Sequence, residues 1–435
     1  MTAEVYLWGT RIGVVAQDSV SDIPRFSYDE KFLRSNIEVS PLVMPLSKRI
    51  YAFPELNGKT FYGLPGLLAD SLPDKYGTKL IEKYLAQQNR NLESFTSVER
   101  LCYVGNRAMG ALEYVPAKGY TNAPDESIQL EELVQLASDI LSERDSVHIQ
   151  QNDETMQQII KIGTSAGGAR AKAIVAWNEK TKDIRSGQID AGSGYGYWLI
   201  KFDGVENNKD KGEEADGPAY TRIEYAYYLM ARDAGIVMNE CRLYEEAGKY
   251  HFMTKRFDRE GDTGKKIHMQ TLGALAHYDY NMPGAHSYEQ VAEIIYRLGM
   301  GQKDIEQLFR RMVFNIIARN QDDHVKNISF LMNQKGAWSL SPAYDITYAY
   351  EPANYWLSKH QMSINGKLEN IGFDDIFECG SRMNISKRRI INTVEEVQKV
   401  IGKWSSYAEQ AKLKEEIMNE IKQQHINFLA NKGGE

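Results

Sequence analysis

The chain has 435 residues, 42% of them apolar and 26% charged, with a formal net charge of −7 and a pI of about 5.8. That length implies two or three domains with cores that need no covalent staples, and the acidic balance excludes a basic nucleic-acid coat or a polybasic membrane-surface protein. The three cysteines, Cys102, Cys241 and Cys379, are odd in number and far apart, which argues against a disulfide framework or a zinc site and for a reducing compartment.

The N-terminus, MTAEVYLWGTRIG, has no basic stretch followed by an apolar one, and no run approaches the roughly 18 apolar residues of a membrane span. A cytoplasmic protein with no membrane partner is expected. Residues 1–118 read as a small domain. EVYLW and RIGVVAQ are strand-like runs joined through Gly-Thr. ADSLPDKYGTKLIEKYLAQQ has helical spacing, with Leu80, Ile81 and Tyr84 on one face. VPAKGYTNAPDES collects turn formers and precedes an amphipathic run, so 119–149 reads as a linker and connecting helix.

A different pattern covers 150–258. IGTSAGGARAKAIVAW is a Gly-rich loop running into a strand, and YGYWLIKFDG is a second strand that carries Lys201. RIEYAYYLMARDAGI is a helix with Glu224 near its start, and CRLYEEAGKYHFMTKRFDR is a hairpin turning at Glu-Ala-Gly-Lys. The remainder, 259–435, is mostly helical. Its clearest helix places Ile305, Leu308, Phe309, Met312, Val313, Ile316 and Ile317 at steps of three and four. The stripe stops at Ile317, and the polar stretch ARNQDDHVKN, a short hairpin and SPAYD follow.

Helix, polar loop, hairpin and acid is an order with chemical meaning. In protein kinases an aspartate is followed after four residues by an asparagine that holds magnesium, and a second aspartate lies past a hairpin. Here Asp322 and Asn327 are separated by four residues, and Asp345 lies past the hairpin. Asp322 has the place of the catalytic base, which accepts the proton of the attacking hydroxyl. Asn327 and Asp345 are hard oxygen donors suited to Mg2+, and Lys326 adds positive charge near the transferring group. Upstream, the Gly-rich loop lets backbone N–H groups approach phosphates. Lys201 has the place of the phosphate-pairing lysine, Glu224 that of its partner, and TKRF (254–257) that of the adenine hinge.

The sequence resembles the HipA-type serine/threonine kinases, toxins of bacterial type II toxin–antitoxin pairs. The family pattern N-x-D-x-H-x-K-N is matched by Asn320, Asp322, His324, Lys326 and Asn327. P-x-Y-D is matched by Pro342, Tyr344 and Asp345, and S-x-x-G-x-x-x-K by Ser165, Gly168 and Lys172. GALEYVP, near the end of the small N-terminal domain, is also family-like, so the resemblance spans nearly the whole chain. It implies an α+β fold: a small N-terminal α/β subdomain, then a bilobal protein-kinase-like fold with a mostly helical C-terminal lobe. It implies ATP bound by Gly167, Gly168, Ala169, Arg170, Ala171, Lys172, Lys201, Lys255, Arg256, Phe257, His324, Lys326 and Tyr344, and autophosphorylation of Ser165 that expels the loop. Lys255 departs from a relative with an acidic hinge residue, a change that a backbone contact would survive. The implied partners are a small helix-turn-helix antitoxin, DNA only through that antitoxin, and a protein substrate of the translation machinery such as an aminoacyl-tRNA synthetase.

Plainer readings stand beside these. Asp322 and Asp323 alone could be a solvated loop or a cap, and His324 is either a ligand or a hydrogen-bonder that supports the loop. Glu224 could be an ordinary acid at a helix start, and Ser165 a turn hydroxyl. A catalytically weak kinase fold acting as corepressor with a DNA-binding antitoxin is the alternative function. A phosphohydrolase built on Asp322, Asp323 and His324 ranks below it, because such sites usually need more ligands. Asp323 fills a variable position of the family pattern and is expected to be mutable at modest cost.

Overall fold

The computed structural model describes residues 1–73, 75–87, 90–117, 131, 134, 135, 137, 170–188, 190–205 and 219–428. Most of the linker 119–149 and the start of the Gly-rich loop lie outside the described residues. The chain divides into two units. The first comprises Met1–Asp216, Met253–His277 and Leu331–Ala337; the second comprises Gly217–Phe252, Tyr278–Phe330 and Trp338–Glu435.

In the first unit, strands β1 (Thr2–Leu7), β2 (Thr10–Ala16) and β3 (Arg25–Tyr28) precede helices α1 (Gly58–Phe61), α2 (Gly66–Ala69), α3 (Lys75–Gln87) and α4 (Ser97–Val104). Strand β4 (Leu112–Val115) then completes an antiparallel sheet of order β3-β2-β1-β4. Residues of β1 alternate, with Ala3, Val5 and Leu7 buried, as a sheet packed on one face requires. The β1–β2 turn has positive φ at Trp8 (49°) and Gly9 (75°), the geometry that matches strand twist. The Trp8 indole Nε1 donates to the Lys266 carbonyl at 2.9 Å. Leu80 and Ile81 of α3 are buried, as their spacing predicts.

Strands β5 (Lys172–Trp177), β6 (Ile184–Ser186) and β7 (Gly196–Lys201) pair antiparallel in the order β6-β5-β7, and every residue of β5 is buried. The segment Arg256–Arg259 is fixed by a buried charge cluster. Asp258, 0% exposed, accepts from Arg256 Nε and Nη2 at 2.8 and 2.7 Å and from Arg259 Nη1 at 2.9 Å. It also accepts from the Gly110 N–H at 2.7 Å. Burial alone would raise the Asp258 pKa; the two guanidinium charges reverse that and hold it well below the usual carboxylate range. Gly110 is required there: its φ is 73°, and a Cβ would lie 2.9 Å from the Met269 nitrogen.

The second unit opens with α5 (Tyr220–Asp233) and β8 (Cys241–Glu246). The turn at Ala247 (φ 48°) and Gly248 (φ 77°) leads into β9 (Lys249–Lys255), the hairpin read from the sequence. The chain then supplies β10 (His268–Thr271) and α6 (Leu272–Ala276) to the first unit. It continues as α7 (Tyr288–Arg297), α8 (Gln302–Ile317), β11 (Ser329–Met332) and β12 (Trp338–Leu340). Helices α9 (Phe373–Arg382), α10 (Lys387–Ile401), α11 (Trp404–Gln410) and α12 (Glu415–Gln424) complete it, so the α+β class expected from sequence is the one observed.

Helix α8 is the axis of this unit, packed by α7 and α10. Its apolar stripe is the expected one, but burial goes further: every residue from Leu308 to Ile317 is buried, including Arg310, Arg311 and Asn315. The polar residues are buried because each has a partner, among them Arg310 Nη1 to the Ala234 carbonyl at 2.8 Å and Arg311 Nη2 to the Ser341 carbonyl at 2.6 Å. The helix ends where Tyr227 Oη donates to the Ala318 carbonyl at 2.6 Å and Arg319 turns left-handed at φ 58°. Among the described residues no helix is long and apolar enough to cross a membrane.

One buried histidine gives the fold a pH dependence. His268 is 0% exposed, and burial pushes its pKa from 6.5 down to about 3. The unfolded chain therefore binds a proton that the folded chain refuses, and stability rises with pH between those values. Acidification from pH 6.5 toward 4 should cost roughly 1.4 kcal/mol per pH unit from this group alone. Thermal melting across that range should show the slope, and His268→Gln should reduce it by this amount, with His277 and His425, each pushed down to about 4, supplying the rest; an unchanged slope in the variant would remove His268 as a contributor.

Candidate active site

The loop from Arg319 to Asn327 is held by its backbone before any catalytic side chain is considered. The Asn320 N–H donates to the Asn315 carbonyl at 2.9 Å. Residues Arg319 and Gln321 bracket Ala349, with the Ala349 N–H on the Arg319 carbonyl at 3.0 Å and the Gln321 N–H on the Ala349 carbonyl at 2.9 Å. This single parallel bridge ties the loop to the segment that follows Asp345. A 3-10 turn, Val325–Asn327, closes the loop; its cap is His324, whose Nδ1 accepts from the Lys326 N–H at 3.2 Å.

Asn327 occupies the turn's last position. Its Nδ2 donates to the Asp322 carbonyl at 2.7 Å. A carbonyl only accepts, so the amide nitrogen must be the atom that meets it, which leaves Oδ1 as an acceptor outside this bond. Asn327 and Asp345 line one cleft, together with His324, Tyr344, Asn320 and Asp323. Asp345 has φ 50°, a left-handed conformation that a non-glycine residue holds only when its surroundings impose it. Those surroundings include the Ala343 N–H on the Val237 carbonyl at 2.8 Å and Arg311 on Ser341. Tyr344 Oη donates to the Lys326 carbonyl at 2.6 Å and also meets Ser329 Oγ. A carboxylate and a carboxamide on residues that line one cleft are a donor pair that suits Mg2+, which takes few protein ligands and keeps the rest for water or phosphate.

Asp322 and Asp323 are adjacent yet differ in environment. The Asp322 side chain is 20% exposed, and its Oδ1 lies 3.8 Å from His324 Nε2. The Asp323 side chain is 1% exposed. Its Oδ2 accepts from Tyr288 Oη and from His360 Nδ1, both at 2.8 Å, and its Oδ1 accepts from the Gln361 N–H at 2.8 Å. Asn315 Nδ2 donates to Tyr288 Oη at 3.1 Å, and Asn320 Nδ2 to Asn315 Oδ1 at 3.0 Å. Burial, with the Asp323 charge second, pushes the Tyr288 phenol well above its usual 10.0, so it remains a donor. The expectation that Asp323 is cheaply replaced is therefore corrected: it is a buried, triply bonded anion. The same geometry counts against a phosphohydrolase with Asp323 as a metal ligand.

The remaining predicted residues fall as follows. In the first unit, Lys172 and Lys201 are direct partners across β5 and β7, so both side chains stand on one face, and both are buried. Arg170 and Ala171 precede Lys172, whereas Ser165, Gly167, Gly168 and Ala169 lie outside the described residues. Lys255 Nζ pairs with Asp262 at 2.9 Å. Arg256 corrects an expectation: its guanidinium is committed to Asp258 and to the Gly187 carbonyl, and its N–H donates to the Tyr197 carbonyl at 2.9 Å. It is a structural residue, not a side-chain contact for nucleotide. Phe257 is half-buried. In the second unit Glu224 is buried on α5, and Lys326 Nζ sits 4.7 Å above the Tyr280 ring.

Sequence reasoning missed Tyr288, Asn315, His360, Gln361 and Tyr280. Asn315 carried a faint signal, as a polar residue within an apolar helix. The others join the loop from 35 to 46 positions away, where no spacing rule reaches.

Replacing Asp323 by Ala should destabilise the protein by about 3–5 kcal/mol, since three donors lose their acceptor together inside the fold. Urea denaturation would measure it through the midpoint at unchanged slope. A loss below about 1 kcal/mol would contradict the buried-anion reading.

Known proteins point the same way as the geometry. The family model described as HipA N-terminal domain matches residues 3–115. That described as HipA-like C-terminal domain matches residues 164–404, more than half of the chain. A Sinorhizobium fredii protein named "Putative kinase Y4dM" is 23% identical over 233 residues, 48% of this chain and 52% of that protein. A Haemophilus influenzae protein named "Putative kinase" is 28% identical over 207 residues, 40% of this chain and 59% of that protein. The chain thus spans about half the length of the curated relatives it matches. The Shewanella oneidensis MR-1 toxin–antitoxin structure of HipA, HipB and operator DNA aligns with a TM-score of 0.69 at 15% identity, over 97% of this chain and 95% of that one. This likeness is one of fold. By the two domain matches and the motif Asn320-x-Asp322-x-His324-x-Lys326-Asn327, the chain belongs to the HipA family.

Proposed function

We propose that this protein is an ATP- and Mg2+-dependent protein serine/threonine kinase, the toxin of a toxin–antitoxin pair. The observation that carries the reading is the tie between Asp322 and Asn327, with Asn327 and Asp345 on one cleft. It supports one chemistry: phosphoryl transfer from a nucleotide to a hydroxyl. Asp322 orients the acceptor hydroxyl and takes its proton as the oxygen bonds to the γ-phosphorus. The bond from that phosphorus to the β,γ-bridging oxygen breaks, and ADP leaves. Asn327 and Asp345 would hold Mg2+, which when bound neutralises charge on the phosphate oxygens. Lys172 and Lys201 would bind the nucleotide's phosphates from the face they share.

The relatives named as kinases support the activity, and the complex of HipA with HipB and operator DNA supports a small DNA-binding antitoxin as partner. DNA contact through that antitoxin, a substrate in the translation machinery and autophosphorylation of Ser165 belong to the same reading.

Asp322→Ala and Asp345→Ala should each lower phosphoryl transfer by about 10²–10⁴-fold with an unchanged circular-dichroism spectrum. Incubation with γ-labelled ATP and magnesium is the measurement. Near-normal labelling by Asp322→Ala would remove Asp322 as the base, and absence of labelling by the wild-type protein would favour the corepressor alternative. Lys201→Ala should weaken ATP binding, read by titration calorimetry.

A further inference from the structure

We propose that Asp323 is a positioning residue: by clamping the segment Trp356–Met362 to the loop, it sets the orientation of Asp322. The proposal rests on the kinase reading above and adds to it a device for holding the base.

The geometry runs in two directions from one carboxylate. Toward the helices, Asp323 accepts from Tyr288, Tyr288 accepts from Asn315, and Asn315 accepts from Asn320, which lies in the same loop. The loop is thus pinned by side chains at both Asn320 and Asp323, on either side of Asp322. Toward the chain that follows Asp345, Asp323 accepts from His360 and from the Gln361 backbone, and Gln361 Nε2 in turn donates to the Trp356 carbonyl. That segment is fixed on its far side as well. The Gly284 N–H donates to the Gln361 carbonyl at 2.8 Å, the Ser363 N–H to the His286 carbonyl at 2.9 Å, and the Tyr288 N–H to the Ser363 carbonyl at 3.1 Å. Met362, between these anchors, lines the same cleft as Asn327 and Asp345.

Consecutive side chains diverge when the backbone between them is extended or turning. Fixing Asp323 inward at three points therefore leaves Asp322 on the outer side of the loop, as the difference between 1% and 20% side-chain exposure records. Asp322 makes its own contacts, but their placement follows from its neighbour. A base displaced by about 1 Å can lose about 10²-fold in rate, while nucleotide affinity, which depends on other residues, is left alone. A purely structural Asp323 would instead change stability and the folded fraction without changing the turnover of the molecules that fold.

The test uses Asp323→Asn, which keeps shape and one acceptor oxygen and lets the amide donate to Tyr288 Oη, so the variant keeps more of its stability than Asp323→Ala. His360→Leu removes the other side of the clamp, and His360→Asn keeps a donor near the position of Nδ1. Rates of ADP release from magnesium ATP, and of label incorporation from γ-labelled ATP, are measured on the full chain and normalised to the folded fraction. Asp323→Asn and His360→Leu should each lower kcat by about 10–100-fold with KM for ATP within about 2-fold. Their double variant should fall no further than the worse single, and His360→Asn should recover most of the rate. Wild-type kcat in folded Asp323→Asn, a loss confined to KM, or multiplicative losses in the double variant would overturn the proposal and leave the kinase reading standing. A wild-type protein that transfers no phosphate would overturn both.

Discussion

The structure around the site depends on one buried anion. A carboxylate removed from water must be met by donors on every side, or its desolvation exceeds what packing returns. Asp323 meets this requirement with a phenol from the start of α7, an imidazole and a backbone N–H from the segment after Asp345. None of these is near it in sequence. The demand of a single side chain therefore fixes the mutual placement of three stretches of chain. It also explains why α8 buries Asn315: without that amide, Tyr288 and Asn320 would not be joined.

The same chemistry is used differently a peptide bond away. Asp322 and Asp323 are identical residues, and the fold separates their roles by environment alone. One is enclosed and met by three donors; the other is a fifth exposed and lies 3.8 Å from His324 Nε2. A comparable separation occurs in the first unit, where Arg256 and Arg259 lie in the core with Asp258, whereas Lys172 and Lys201 share one face at the end of a ladder. Arginine suits the first setting because its planar fork satisfies both carboxylate oxygens at once. The second setting uses lysine, a compact point charge on a flexible stem.

What the sequence made legible follows the range of the forces involved. The stripe from Ile305 to Ile317, the turn at Ala247-Gly248 and the four-residue gap between Asp322 and Asn327 are local, and each is found where periodicity and turn chemistry put it. The α+β class came with the family resemblance that the motifs carry. The partners of Asp323 are not local. His360 lies 37 residues away and Tyr288 35, and their identity is set by tertiary packing that no periodicity encodes. Hence the acid that looked expendable is the more deeply bonded of the adjacent pair. The register that sets Lys172 against Lys201 was hidden for the same reason, and Arg256 was misread because a basic residue at a hinge does not announce a buried acid two positions on.

Strain and support are matched at the two ends of the site. Arg319 and Asp345 both hold left-handed backbone that disfavours their side chains, by roughly 1–2 kcal/mol each. The first is held by the Ala349 N–H on its carbonyl, the second by Ala343 on Val237 two residues earlier. Ala349 itself follows Asp345 by four residues, so the strained turn at the cleft acid and the strained turn at the helix end are braced against each other through one short segment. Loosening either would move both the loop that carries Asp322 and the cleft acid. Precision at Asp322 and Asp345 is therefore a shared property of the frame, and it is the buried Asp323 clamp that keeps the outer edge of that frame closed.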